Sequence, residues 1–213
     1  MSTSHHPDTG EGRRALVVPV VVALFLGLGA TAMVAASLRR PELPTYPVTP
    51  PSPREVGAVL DTATLTIDAS AEGAWRFFDF SRGAVVPAAS DAEWDLAFRR
   101  FDIMVNGGEA FAGGGGALDL GDVAFEEVEE VPADGYRVTE PGRDSAHVVM
   151  GDWYDYGFTS HLLRPKDRTY ALRTADGRYA KLRILSYYCP GARPGCLTLR
   201  YAYQGDGSRR VVP

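Results

Sequence analysis

The run ALVVPVVVALFLGLGATAMVAASL, from Ala15 to Leu38, holds no charged residue and is bracketed by Arg13-Arg14 and Arg39-Arg40. At about 1.5 Å per residue it makes a helix of roughly 36 Å, enough to cross a hydrocarbon core about 30 Å thick. Ala30-Thr31-Ala32 fits a signal-peptidase cleavage pattern, so a removable signal is the rival reading. The apolar core is longer than the roughly 7–15 residues of a signal peptide and basic residues follow it at once, which favours an uncleaved single-pass anchor. Either way the rest of the chain is exported. One arginine pair on each flank leaves the charge rule for orientation undecided, and the opposite orientation would keep the main domain in the cytosol. The expected location is the inner membrane with the following domain on the periplasmic side. No cysteine lies near the end of the run, so a lipid-modified cysteine is not available as the anchor.

These constraints divide the chain into an N-terminal tail (1–14), an anchor or signal (15–38), a linker (39–56) and one domain (57–213). The linker carries Pro41, Pro44, Pro47, Pro50, Pro51 and Pro53. Proline at that density favours extended polyproline II, and the segment reads as a semi-rigid spacer that lifts the domain off the membrane. The formal net charge is −5. Setting aside the four arginines around the apolar run leaves an exported part that is more acidic still, which argues against a nucleic-acid partner.

Cys189 and Cys196 are the two cysteines, in YYCPGARPGCLTLRY. The prolines and glycines between them suit a tight loop closed by a disulfide in an oxidising compartment, with a reduced buried pair as the alternative. No further cysteine is present to complete a zinc site.

TATLTIDA, WRFFDF, EWDLAFRRFDIMV, RTYALRT, RYAKLRILSYY and CLTLRYAYQ are rich in β-branched and aromatic residues and are separated by turn residues. In the second half of the chain Asp176-Gly177 lies between two such runs and predicts a two-residue hairpin turn with positive φ at both positions. Residues 168–204 therefore read as a three-stranded antiparallel meander. Around Trp94, alternation predicts Trp94, Leu96 and Phe98 on one face, and Asp95 and Arg99 on the other. Outside the anchor there is little helical periodicity, so the fold class is all-β, mainly antiparallel, with one N-terminal transmembrane helix.

Few motifs carry chemistry. NGGEAFAGGGGALDLG, residues 106–121, looks like a phosphate loop but lacks the Lys-Ser/Thr of one, and reads as a flexible connection. EEVEEV, from Glu126 to Val131, lacks the spacing of a calcium loop and reads as a solvated face. Ser145 and His147 stand beside Asp144, yet neighbours in sequence are not a triad and no nucleophile elbow is present. No enzyme activity is expected. His5 and His6 belong to the tail, which leaves His147 and His161, with Met150 near the first. Two imidazoles, or an imidazole and a thioether, are axial donors that haem iron accepts. Trp153, Tyr154, Tyr156 and Phe158 between them supply aromatic surface, and Arg164, Lys166 and Arg168 supply cations for propionates. The same histidines also suit a purely hydrogen-bonded structural role.

EWDLAFRRFDIMVNGG, the glycine run to GALDLG, DWYDYGFTSHLLRPKDRTYALRTADGRYAKLRILSYY and GCLTLRYAYQ together resemble the HmuY-like family, over nearly all of residues 60–204. The resemblance implies an all-β fold and an exported haem carrier that takes haem from host proteins and delivers it to an outer-membrane receptor. It also implies iron held by two side chains, a His pair in some members and a Met pair in others. Here His161 is the first candidate ligand, with His147 or Met150 as its partner and Arg164 and Lys166 as propionate contacts. The chain departs from the family in having a membrane helix where known carriers are lipoproteins, and in histidines only 14 residues apart.

Two functions follow. One is a membrane-anchored haem-binding module of the cell envelope, non-catalytic, with haem and a haem receptor as partners. The other is a non-haem accessory subunit or interaction domain of an envelope protein complex, a role that a fixed tether suits better than free scavenging.

Overall fold

The computed structural model describes residues 10–38, 42–54, 60–87, 93–109, 111–142 and 147–212, with backbone alone at 10–16. His5, His6, Arg39, Arg40, Pro41, Asp144 and Ser145 lie outside the described residues. The chain forms two compact units. One contains the N-terminal segment to Glu42 together with Phe158–His161, and the other Leu43–Gly157 with Leu162–Pro213.

The first unit is dominated by α1 (Gly10–Leu38), which takes in Pro19. From Val17 to Leu38 its side chains are exposed and apolar apart from Thr31 and Ser37, whose hydroxyls donate to the helix's own carbonyls of Gly27 and Met33. A helix without a polar face has no stripe to set against a soluble core, and its length and composition match a membrane span.

The larger unit is a sandwich of antiparallel sheets, as the alternation predicts. One sheet has the order β1 (Asp61–Asp68), β11 (Arg193–Gln204), β10 (Tyr179–Cys189), β9 (Tyr170–Arg173), β6 (Gly116–Asp119), and the other β3 (Ala84–Val86), β2 (Arg76–Asp79), β4 (Leu96–Arg99), β5 (Asp102–Val105). A separate hairpin joins β7 (Tyr154–Gly157) to β8 (Leu162–Pro165). Alternate residues of β11, Leu197, Leu199, Tyr201 and Tyr203, meet Phe78, Leu96 and Phe98 of the facing sheet in the main core. Period-two patterning places these side chains on one face and sets the register, because a one-residue slip would expose all of them.

The meander β9–β10–β11 stands as expected, but its first turn differs. Arg173 pairs with Tyr179 around a five-residue loop in which Gly177 alone has positive φ, at 82°. Thr174 closes that loop by accepting Arg178 N–H at its hydroxyl, 2.8 Å. A side-chain acceptor at the loop entrance thus replaces the two-residue turn. The segment around Trp94 also departs from simple alternation. Trp94 packs with Ala97 and Met104 on the outer face, while Asp95 turns inward and is buried.

Two connections are more ordered than composition suggests. The glycine run supplies strand β6 and folds around buried Asn106, whose amide donates to Trp94 O (2.7 Å) and whose carbonyl accepts Gly113 N–H (3.1 Å). A Cβ on Gly107 would stand 1.9 Å from Gly115 O, so the two backbones come closer than any side chain allows. The acidic run is half core: Val128 and Val131 are buried, whereas Glu126 pairs with Arg200 and Glu130 with Arg209.

The described part of the proline-rich segment does not stand clear of the domain. Thr49 exchanges bonds with edge-strand residue Thr66: Thr49 N–H donates to Thr66 O at 2.9 Å, and Thr66 N–H donates to the Thr49 hydroxyl oxygen at 2.9 Å. Thr45 bridges Tyr188 in parallel, and the Ser186 hydroxyl donates to Pro44 O. Extended polyproline backbone has free carbonyls to offer, and here it covers an edge that would otherwise expose unpaired strand groups.

Candidate functional site

His147 is held by its backbone first. Its N–H donates to Ile103 O (2.9 Å), and its carbonyl accepts Gly151 N–H (2.6 Å) at the start of a 3-10 turn, Met150–Asp152. The ring is buried and uses both nitrogens. Nδ1 accepts the N–H groups of Val149 (3.1 Å) and Met150 (3.3 Å), so the proton sits on Nε2, which donates to Arg137 O at 2.8 Å. Burial lowers its pKa below the usual 6.5, which keeps the imidazole neutral. An imidazole bonded in this way has no lone pair to give to a metal. Met150 follows in the same turn, fully buried in the main core.

The aromatic residues expected to supply surface between the histidines divide into buried and exposed ones. Trp153 is buried, donates its indole N–H to Phe101 O (2.9 Å), and packs on Tyr154 and Tyr187 at ring separations of 4.9 and 5.7 Å. Tyr187 in turn meets Tyr188 at 5.3 Å. Two bulges in β10, flanking Ser186, let both tyrosines turn into buried positions. Tyr156 and Phe158 point outward, 54% and 80% exposed.

His161 occupies the other end of the hairpin. The four-residue loop 158–161 links Gly157 to its partner Leu162, and His161 closes it with φ 54°. That left-handed conformation costs most residues energy and suits Asn, Asp and His better than others, so the hairpin gives His161 a backbone role beside any ligand role. The residue is exposed. The structure therefore places His161 on a surface tip, and His147 and Met150 in the interior. Of the two candidate second donors, His147 is committed to backbone bonds and Met150 to core packing.

Of the expected cations, Arg164 is exposed on β8 opposite Asp155. Lys166 is bound to Asp152 at 2.6 Å, and Arg168 to Asp119. An open cavity of ≈ 460 Å³ lies beside them, lined by Gly121, Asp122, Asp155, Lys166, Asp167 and Arg168. Its charged lining is unlike the apolar slot a porphyrin needs. Cys189 and Cys196 form the disulfide the loop suggested, across the β10–β11 hairpin. Asp68 lies near both sulfurs, but a bonded pair of sulfurs is not a thiolate metal site.

Sequence reasoning missed the β7–β8 hairpin as an element. Its strands are four residues long and mix Asp, Gly and Arg with Tyr and Leu, too short for an alternation signal. It also missed the burial of Asp95, expected on the face opposite Trp94, and of Lys181.

A sequence profile of the HmuY protein family matches residues 71–154, a span that includes His147 and Met150 and ends before His161. No curated protein matches the chain. Among solved structures, the apo HmuY analog of Tannerella forsythia shares the fold at a TM-score of 0.56 and 17% identity, over 71% of this chain and 99% of that one. Apo PinO, from Porphyromonas gingivitis, matches at 0.53 and 14%, over 68% and 97%. An HmuY-like protein of Bacteroides vulgatus, assigned to haem binding, matches at 0.50 and 20%, over 67% and 92%. The chain thus matches the HmuY family model over residues 71–154 and has the fold of HmuY-like structures.

Proposed function

We propose that the chain is a membrane-anchored, extracytoplasmic haem-binding module without catalytic activity, and that His161 is its side-chain iron ligand. The observation that carries this reading is the position of His161, exposed at a hairpin tip that also exposes Phe158. The description of the Bacteroides vulgatus structure as an HmuY-like haem-binding protein supports the ligand, and the apolar span Val17–Leu38 supports the anchor. Bound haem would supply an iron centre for storage or transfer; His161 would supply one axial nitrogen.

The test is a haem titration of the full chain in detergent. With His147 and Met150 held in the core, one strong protein ligand predicts a saturable Soret shift of mainly high-spin character, turning low-spin on added imidazole. His161→Asn keeps a residue that tolerates the left-handed turn and should weaken binding at least tenfold. His147→Gln and Met150→Leu should leave the spectrum unchanged.

A second reading, an interaction domain of an envelope complex that holds no haem, is favoured by one observation: both ring nitrogens of His147 are consumed by backbone groups. Absence of any saturable shift at micromolar haem selects it.

A further inference from the structure

We infer that the tip of the β7–β8 hairpin is a membrane-docking element, seated on the headgroup interface of the bilayer in which the chain is anchored. The inference rests on the anchored reading of Val17–Leu38. Phe158, 80% exposed, is among the most exposed large apolar side chains outside α1, and Tyr156 on the adjoining strand is 54% exposed. Aromatic rings presented to water at a loop tip lose solvation cost when they enter an interface, where Tyr and Phe are well accommodated.

The chain itself says which surface covers them. Chain from Leu43 onward belongs to the β unit, fixed by Leu43 packing on the main core and by the bonds of Pro44 and Thr45 to Ser186 and Tyr188. Residues 39–42 alone separate Leu43 from Leu38, the last helical residue. Five residue steps reach at most about 18 Å, even fully extended. The proline-rich segment is thus a short tether, and the point where it joins the domain must lie close to the lipid surface.

That joining point is also the root of the hairpin. Leu163 N–H of β8 donates to the Tyr188 hydroxyl at 2.9 Å, on the residue that Thr45 bridges. Leu162 and Leu163 pack against the same core as Leu43. Arg193, exposed where the β10–β11 hairpin turns and close enough to Asp68 to act on its charge, and Arg164, exposed on β8 opposite Asp155, carry positive charge on the surface of the β unit. Such charge suits an anionic leaflet. The attachment of the tether and the base of the hairpin therefore meet at Tyr188 of β10.

The test uses the full chain reconstituted into vesicles of phosphatidylcholine and phosphatidylglycerol. Both native cysteines are in the disulfide, so Thr159→Cys gives a unique thiol for an environment-sensitive fluorophore, with Phe158 left in place. A second label at Ser208→Cys marks the opposite end of the β10–β11 pair. Nitroxide-bearing lipid should quench the label at 159 several-fold more than the label at 208, and Phe158→Ser should return it to the level of 208. Equal quenching at both positions, in protein that resists carbonate extraction, overturns docking while the anchor stands. Extraction by carbonate overturns the anchor and the docking together. A label at 159 that is shielded from aqueous quencher but not reached by nitroxide lipid overturns the lipid assignment in favour of a protein contact.

Discussion

The carboxylate of Asp95 accepts the backbone N–H of Ala175 at 2.8 Å, and so ties the approach to β4 in one sheet to the β9–β10 turn of the other. Its second oxygen accepts Phe80 N–H, also at 2.8 Å. One buried side chain thereby links the two layers of the sandwich.

Asp95 makes stability depend on pH. Burial raises its pKa from 3.8 to about 7, against the opposing pull of the two N–H donors, and like charge on Asp79 and Asp176 adds to the rise. Between those values the folded chain holds a proton that the unfolded chain has lost, so its contribution is full below about 3.8 and is lost as pH rises through about 7. A tenfold difference in proton affinity between the folded and unfolded chain is worth about 1.4 kcal/mol, and Asp95 therefore contributes a few kcal/mol at most. Asp95→Asn should abolish this component in urea unfolding at pH 5, 6, 7 and 8.

His147 acts in the opposite direction over part of the same range. Its folded pKa lies below 6.5, so as pH falls through 6.5 the unfolded chain takes up a proton first and stability drops. Wild type should show a shallow profile in which the two slopes offset. Asp95→Asn should steepen the loss toward pH 5, and His147→Gln should leave only the Asp95 slope. His147→Ala should cost about 2–3 kcal/mol at pH 8, since Val149, Met150 and Arg137 lose a buried partner.

Lys181, buried on β10, donates to Phe125 O and Val128 O at 2.8 Å each, and its ammonium lies 4.5 Å from the Phe125 ring centre. It fastens the acidic segment 125–131 onto the sheet. Lys181→Met fits the space but leaves both carbonyls unpaired, with an expected cost of about 2–3 kcal/mol in denaturant unfolding. Hydrogen exchange should rise locally at 125–131.

Cys189 and Cys196 close a loop seven residues apart at the end of the β10–β11 hairpin. Replacing both by Ser should lower stability by about 2–3 kcal/mol on the chain-entropy account. Peptide mapping of exported protein without reductant should recover the two as a linked pair.

Where the sequence was legible, the reason was repetition. The apolar run has one composition over its whole length, and β10 and β11 are long runs of β-branched and aromatic residues, eleven and twelve residues each, so their local preference agreed with the strands they form. Asp176-Gly177 marked a reversal correctly, although Thr174 rather than a pair of positive-φ residues shapes it. The disulfide was legible because two cysteines flank a turn.

The candidate site was legible only as a parts list. His147, Met150 and His161 were named from the chemistry of their side chains, and nothing in one dimension separates a ligand from a core residue. Tertiary structure separated them: Arg137 O and the 3-10 turn claim both nitrogens of His147, the main core claims Met150, and a hairpin of two four-residue strands carries His161 outward. The sequence alone determined the span, the all-β class and the cysteine loop, because these follow from local periodicity and composition. Only the tertiary structure decided that Asp95 and Lys181 are internal ties and that the proline-rich segment is a docked strap. Each of these depends on partners 17 to 142 residues away, such as Thr49 on Thr66, Phe125 on Lys181, Asp95 on Ala175 and Pro44 on Ser186. Such pairings exist only once the chain has brought these distant segments together.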